Sequence, residues 1–313
     1  MALPSGSFTG TGDISNLVKA AYDQYVRMAL RSIPVMRSLA DVKPVQQAMP
    51  GSSVVFSIYS DLAAATSTLT ETTDVSSIAL GNPSQVTVTL NEYGSAVTTT
   101  KKLNLTSFND VDAALADIIA YNAADSLDSV VASVLTGGSN VLYAGNATST
   151  NTIDAADLLT VADIRQAVTE LRTNKALPRI GELYAAYLHP RQAADLRSES
   201  GTGGFQDIVK YTDNVSRTII PGAVGVIEGA FVVETPRVPF AANTNSPAVN
   251  VYKAVVAGRE ALAEAMGQDI NTIIGPEIDA LRRFRTIGWY YFGGFARLRE
   301  AALYRIESAA TNG

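Results

Sequence analysis

Cysteine is absent and histidine occurs once, at His189, so few side chains could act as nucleophile, general base or metal ligand. Thiolate nucleophiles, disulfides and thiolate metal sites are excluded. A catalytic triad or a histidine metal centre would have to use that single imidazole. His189 stands directly before Pro190 and after the apolar run ELYAAYL at 182–188. That places it at a strand end, where a hydrogen-bonded structural imidazole is expected and a general base working with a nearby acid is the alternative. Asp110, Asp112, Asp117, Asp125 and Asp128 are close enough together to suggest a metal cluster. They lack the alternating spacing and the glycine of a calcium loop, so they are expected on the solvated face of an amphipathic helix. No Gly-Lys pair exists for a Walker A loop and no G-x-S-x-G elbow is present, while SGTGG at 200–204 is too short for a dinucleotide fingerprint and reads as a loop. Trp289, Tyr290, Tyr291, Phe292 and Phe295 could stack bases, but the chain carries 24 Lys+Arg against 30 Asp+Glu. Gripping phosphates needs a basic stripe, so a packed core or a subunit contact is expected there instead. No catalytic residue, cofactor site or metal ligand emerges, and an enzyme is not expected.

The elements that would position these residues follow from periodicity. With 313 residues, 47% hydrophobic and 17% charged, the chain can bury a large core, as two domains or one with excursions. MALPSGSFTG lacks the basic-then-apolar order of a secretory signal. No apolar run reaches the roughly 18–20 residues of a membrane span. Residues 14–40 have helical spacing through Ile14, Leu17, Val18, Ala21, Tyr25 and Met28, with Asp13 as N-cap and Pro34 as a kink or restart. Residues 52–60 and 85–100 are β-branched and alternate, with Val86, Val88 and Leu90 on one face and Thr87 and Thr89 on the other. The Thr/Ser-rich stretch between them has no helical period, which predicts a long two-stranded ribbon with a loosely packed tip. A ribbon of two strands is marginal in water, so it needs something to lie on.

Residues 107–136 predict the longest helix, with Ser107 and Asp110 at its start and Gly137-Gly138 at its stop. Its apolar stripe runs through Val111, Leu115, Ile118, Ile119, Leu127, Val130, Val131, Val134 and Leu135. A mixed segment follows, with helices at 161–174 and 190–197 and strands at 182–188, 224–227 and 230–235, the last two turning about Gly229. A strand is expected at 249–256. Near the end, Leu298, Ala302, Tyr304 and Ile306 alternate with Arg297, Arg299, Arg305 and Glu307, which predicts one half-buried strand.

Charge is unevenly distributed. Residues 51–100 contain no Lys or Arg but carry Asp61, Glu71, Asp74 and Glu92. Residues 1–50 are net positive and include Arg27 and Arg31, while 277–307 carries Arg282, Arg283, Arg285, Arg297, Arg299 and Arg305 against four acids. Ordinary scatter of solvated charge would produce this. The alternative is an acidic projection, with Asp61, Glu71 and Asp74, meeting a basic surface of another copy built from Arg27, Arg31, Arg282, Arg283 and Arg285.

The order of elements, together with VYKAVVAGREALAEAMG at 251–267 and RTIGWYYFGGFARLREAALYRIES at 285–308, resembles the major capsid proteins of tailed bacteriophages. The resemblance implies an α+β Johnson-type fold. Residues 1–50 would be the N-terminal arm and 51–105 the extended β-ribbon loop lying over an adjacent subunit. Residues 106–140 and 249–313 would make the peripheral domain with its spine helix, and 141–248 the α/β axial domain. It implies self-assembly through pentamers and hexamers into an icosahedral shell that encloses double-stranded DNA without binding it specifically. Assembly would occur in the host bacterial cytoplasm and the product would be the virion. Expected partners are a portal protein, a decoration protein in shells that carry one, and, since no charged helical prefix precedes the arm, a separate scaffolding protein. With no lysine at 51–100, that stretch of the extended loop has none through which to cross-link, so a non-covalent shell is expected. An encapsulin-type nanocompartment shares the fold and is one alternative. A cytosolic α/β enzyme using His189 is the alternative from another class.

Overall fold

A computed structural model describes the chain apart from residues 1–33, 45–51, 60, 73, 76, 107–110, 200–222, 245–247, 278 and 312–313. Most of the helix expected at 14–40 therefore lies outside the described residues. Its last part is different from the expectation. Beyond Pro34 the chain makes one 3-10 turn, Met36–Leu39, and then a strand, β1 (Ala40–Pro44). Two long-range contacts override local helix propensity here. The Val35 and Arg37 amides donate to the Asp128 carboxylate at 3.3 and 2.9 Å, and Ala40–Pro44 pairs in parallel with Leu262–Met266.

β2 (Ser53–Ile58) and β3 (Ser84–Thr89) form an antiparallel ribbon in the register Ser53 opposite Thr89 and Ile58 opposite Ser84. Val88 and Leu90 are buried while Thr87 and Thr89 are exposed, as the alternation requires. The ribbon does not extend to residue 100. At Leu90, whose amide donates to the Ser52 carbonyl at 2.8 Å, the chain leaves it. The next ten residues, β4 (Asn91–Thr100), pair along their whole length with another strand. A short helix follows, α1 (Lys101–Thr106).

The long helix α2 (Val111–Thr136) has 26 residues, about 39 Å at 1.5 Å each. Its predicted Ser107 cap lies outside the described residues. Ile119, Ala123, Leu127, Val131 and Leu135 recur every four residues and are all buried. Two arginines distant in sequence receive its last carbonyls: Arg297 Nη1 donates to Val134 O at 3.0 Å and Arg305 Nη1 donates to Thr136 O. Cations at a helix C-terminus satisfy free carbonyls and oppose the macrodipole. By length and composition Leu115–Thr136 could cross a membrane, but its buried stripe serves the protein core.

The remaining elements are β5 (Val141–Tyr143), α3 (Val161–Thr173), β6 (Tyr184–Leu188), α4 (Pro190–Ser198), β7 (Ala223–Ile227), β8 (Ala230–Glu234), β9 (Phe240–Ala242), β10 (Asn250–Ala257), β11 (Leu262–Ile274), β12 (Phe284–Arg297) and β13 (Leu303–Ser308). They complete two sheets. One has the order β1-β11-β12-β4, the other β5-β13-β10-β6-β8-β7, with β9 on β10. In the second, β6 is buried throughout and β8 nearly so, which explains why they read as unbroken apolar runs. Ile164, Val168 and Leu171 of α3 pack against Ala186, Val232, Val256 and Ile306 of that sheet. Glu228 and Gly229, with φ of 50° and 84°, make the two-residue turn between β7 and β8; two positive φ values suit the strand twist.

The closing stretch is two strands in different sheets rather than one. β12 ends at Arg297, a 3-10 turn at Glu300–Ala302 intervenes, and β13 begins at Leu303. The crossover is pinned by Leu298 donating to Ala261 O, Gly258 donating to Ala302 O, and the Arg297–Glu300 ion pair at 2.9 Å. Glu307, read as solvated, is fully buried and pairs with Arg305 at 2.8 Å.

Candidate assembly surfaces

The ribbon is anchored at its base and unsupported beyond it. Val88 and Leu90 pack with Ala263 and Ala265 of β11, with Val54, Phe56 and Phe292 around them. β3 crosses β12 at Gly294, where a Cβ would collide with the Thr89 carbonyl and touch Val88 Cγ1 at 3.0 Å. Only glycine allows that approach. Beyond Ile58 the described residues up to Leu80 are exposed, including Tyr59, Leu62, Leu69 (77%), Val75, Ile78 (71%) and Leu80. Soluble monomers rarely present so many large apolar side chains on one projection, and such a surface marks a contact site. Asp61, Glu71 and Asp74 stand among them, all exposed.

The arginines of the β11–β12 hairpin lie at the far end of the first sheet. Arg282 and Arg283 are exposed and Arg285 is half-buried. Arg283 pairs with Asp279 at 2.6 Å and its guanidinium lies 5.4 Å from the Phe284 ring. Leu281, Phe284, Ile273 and Ile274 are exposed beside them. Arg282 and Asp279 hold positive φ, 51° and 91°, a conformation that side chains adopt at a local cost. The structure thus brings Arg282, Arg283 and Arg285 together, and among the described residues none of Asp61, Glu71 or Asp74 forms an ion pair within the chain. Arg27 and Arg31 lie outside the described residues.

Two charged clusters, each around a fully buried carboxylate, tie together segments distant in sequence. In the first, Arg37 donates to the Glu264 carboxylate at 2.6 and 3.2 Å, the Tyr291 hydroxyl donates to the same carboxylate at 2.8 Å, and the guanidinium lies 5.4 Å from the Tyr291 ring. Glu264 has no exposed surface. Burial, then the Glu264 charge, push the Tyr291 hydroxyl far above its ordinary range, so it stays protonated and donates. In the second, Arg237 reaches Asp125, Asp128 and the Tyr121 hydroxyl from the β8–β9 connection. Burial raises the Asp128 carboxyl, against the opposing hydrogen bonds from the Arg37, Met36 and Val35 amides. Asp128 is therefore not on a solvated helix face. It is fully buried and Asp125 is paired, while Asp117 is exposed as expected and Asp110 lies outside the described residues. Local periodicity carries no signal for either cluster, since the pairs join residues 91 and 227 positions apart.

His189 is the N-cap of α4. Its Nδ1 accepts from the Arg191 amide at 3.2 Å, its own amide donates to Gln192 Oε1, and its ring packs 4.6 Å from Tyr252 and 5.8 Å from Phe240. Burial, then the Arg191 charge, lower its pKa. These contacts hold a neutral capping imidazole in place and offer no carboxylate to orient it as a base. Of the aromatic cluster, Trp289 and Tyr291 are buried against α2 beside Ile119, Ala123 and Leu127, and Trp289 Nε1 donates to Asn122 Oδ1 at 2.9 Å. Among the described residues no group of three or more acids or histidines is arranged to hold a metal ion.

The fold has counterparts among solved structures. The capsid of Ralstonia phage GP4 superposes with a TM-score of 0.75 at 16% identity, covering 98% of each chain. The capsid of cyanophage Pam1 gives 0.72 at 13% identity, covering 96% of this chain and 98% of that one. The head of Helicobacter pylori bacteriophage KHP40 gives 0.69 at 14% identity over 98% of each. At these identities the likeness establishes the Johnson-type capsid fold. No curated protein matches the chain in sequence. The model of the phage capsid protein family matches residues 9–311, nearly the whole chain, and so this chain belongs to the phage capsid proteins and has a structural, not an enzymatic, role.

Proposed function

We propose that the chain self-assembles through pentamers and hexamers into an icosahedral shell around phage double-stranded DNA. Residues 1–50 serve as the N-terminal arm, 51–105 as the extended loop, 106–140 with 249–313 as the peripheral domain, and 141–248 as the axial domain. The observation that carries this reading is the projection beyond Ile58, irregular in backbone, apolar, acidic and exposed. In the shell it lies on a neighbouring subunit, with Asp61, Glu71 and Asp74 facing a basic surface that includes Arg282, Arg283 and Arg285. Leu69 and Ile78 supply most of the contact area, and the charges set direction and register. Closed symmetry then covers surface that would otherwise invite aggregation. An acidic wall does not grip DNA, which suits packaging and ejection. Assembly takes place in the host cytoplasm, with a scaffolding protein and a portal as partners.

The test is expression of the chain followed by light scattering and negative-stain electron microscopy, beside a variant carrying Asp61→Lys, Glu71→Lys and Asp74→Lys. Shells or ordered capsomers are expected from the first, and folded but unassembled protein from the second. A monomer indifferent to concentration would refute the reading, and so would a triple variant that assembles normally. DNA inside the particles separates a phage shell from a nanocompartment. Ladders of covalent multimers on a denaturing gel would overturn the non-covalent shell.

A further inference from the structure

The outer side of α2 is apolar and has no cation. Ala116, Ile118 and Ala120 are exposed, Ile118 at 46%. Over Val111–Thr136 the helix has four aspartates and no Lys or Arg. Only 39% of the most apolar stretch within Leu115–Thr136 is buried, although such a composition belongs to a helix covered all round. We propose that residues 14–33 of the same copy cover this side, docked as a helix parallel to α2. The contact lies within one chain and needs nothing from the shell reading.

Residues 14–33 lie outside the described residues, and the start of the described chain marks where they arrive. The Val35 and Arg37 amides donate to Asp128 of α2. Met36 and Leu39 then join Val131, Ala132 and Leu135 in one core cluster. From 35 to 39 the chain therefore advances in the direction of α2, and the residues before Pro34 come from beside its N-terminal half. A helix over 14–33 is about 30 Å long, against about 26 Å from Val111 to Asp128. Pro34 ends it, because the residue before a proline is held away from helical backbone angles.

Two patterns then fit in one register. Ile14, Val18, Ala21, Tyr25, Met28, Ser32 and Val35 are spaced alternately four and three apart, the repeat of a seam along which two helices pack at about 20°. On α2 the positions with the same spacing back from Asp128 are Asp125, Tyr121, Ile118, Ala114 and Val111. The Val35–Asp128 contact, 93 positions apart, sets the offset. It brings Val18 beside Val111, Ala21 beside Ala114, Tyr25 beside Ile118 and Met28 beside Tyr121, apolar or aromatic at every step. Ser32 falls beside Asp125, at the polar end of the seam where Arg237 binds Tyr121, Asp125 and Asp128. A polar layer of this kind fixes register, and a slide of one heptad would set Tyr25 against Asp125. Lys19, Asp23, Arg27 and Arg31, each four apart, fall away from the seam into water. They leave the segment net positive over a helix that has only acids, which favours the association.

The chain contains no cysteine, so a Tyr25→Cys/Ile118→Cys variant introduces the only thiols. Mild oxidation of dilute, unassembled protein should close a disulfide within one chain, seen as a linked peptide pair by mass spectrometry and a monomer of altered mobility on a non-reducing gel. Asp23→Cys/Ile118→Cys, whose first thiol faces water, should not. Ile118→Glu puts a charge into the seam at an exposed position, so the core keeps its melting temperature. Trypsin cleavage at Lys19, Arg27 and Arg31 should then quicken roughly tenfold, because cleavage follows the undocked population. Disulfide-linked dimers in place of the intrachain link would show the segment lying on another copy and overturn the proposal. Equal cross-linking of the two cysteine pairs, or cleavage as fast in the native chain as in Ile118→Glu, would overturn it too. All of these are read on unassembled protein, so such a failure leaves the shell reading intact.

Discussion

Replacing Arg37 by Met asks whether the buried Glu264 cluster holds residues 34–44 against the first sheet. The long apolar stem is kept and can still lie on Tyr291, while the guanidinium facing Glu264 is removed. Glu264 is completely buried, and it would retain the Tyr291 hydroxyl at 2.8 Å but lose donors at 2.6 and 3.2 Å. Removing one partner of a buried ion pair costs about 3–5 kcal/mol, because the other charge stays dehydrated. The Arg37 side chain is 29% exposed, so water already screens the pair, and the lower end, about 3 kcal/mol, is expected. At a slope of about 3 kcal/mol per M, the urea midpoint should fall by about 1 M. Trp289, the chain's single tryptophan, is buried nearby and reports the transition. Adding Glu264→Gln should recover most of the loss at pH 7.5. A change below about 0.5 kcal/mol for Arg37→Met, or no recovery in the double variant, would refute the reasoning.

Gly294→Ala should displace the ribbon base from β12, since the new Cβ meets the backbone of Thr89 rather than a movable side chain. Strain of about 1–3 kcal/mol is expected, read as a lower melting temperature together with failure to close shells; normal shells at normal stability would show that the close approach is dispensable. His189→Asn keeps a capping acceptor at the start of α4 and removes the titration. The folded pKa of His189 lies below 6.5, so the neutral cap's contribution is full above that value and is lost as pH falls through the folded pKa. The native protein should therefore lose stability between pH 7 and 5 more steeply than the Asn variant in paired urea titrations, and parallel curves would rule out the cap as a pH-sensitive element.

Much of the fold is legible in the residues because local signals agree with it. β6, β8 and β10 are apolar runs bounded by breakers, and α3 and α4 carry their own caps, Thr160 and His189. β11 carries no such local signal. Leu262–Ala265 is buried at every position because β3 covers one face and the core the other, so the alternation that would mark a half-buried strand is missing. The run 85–100 looks continuous in composition, yet Leu90 divides it between the ribbon and the first sheet.

The types and positions of the residues determined on their own that this chain has no thiol chemistry, one imidazole and a ribbon without cations, and these already point to a structural protein with an interacting projection. Only the tertiary structure decided which strands share a sheet, where residues 34–44 dock, and that Asp128, Glu264 and Glu307 are buried rather than solvated. The reason is physical. Periodicity records which face of an element is apolar, but whether a carboxylate can be buried depends on donors that arrive from distant parts of the chain: the amides at 35 and 37 for Asp128, the Arg37 guanidinium for Glu264, and Arg305 with Thr150 for Glu307.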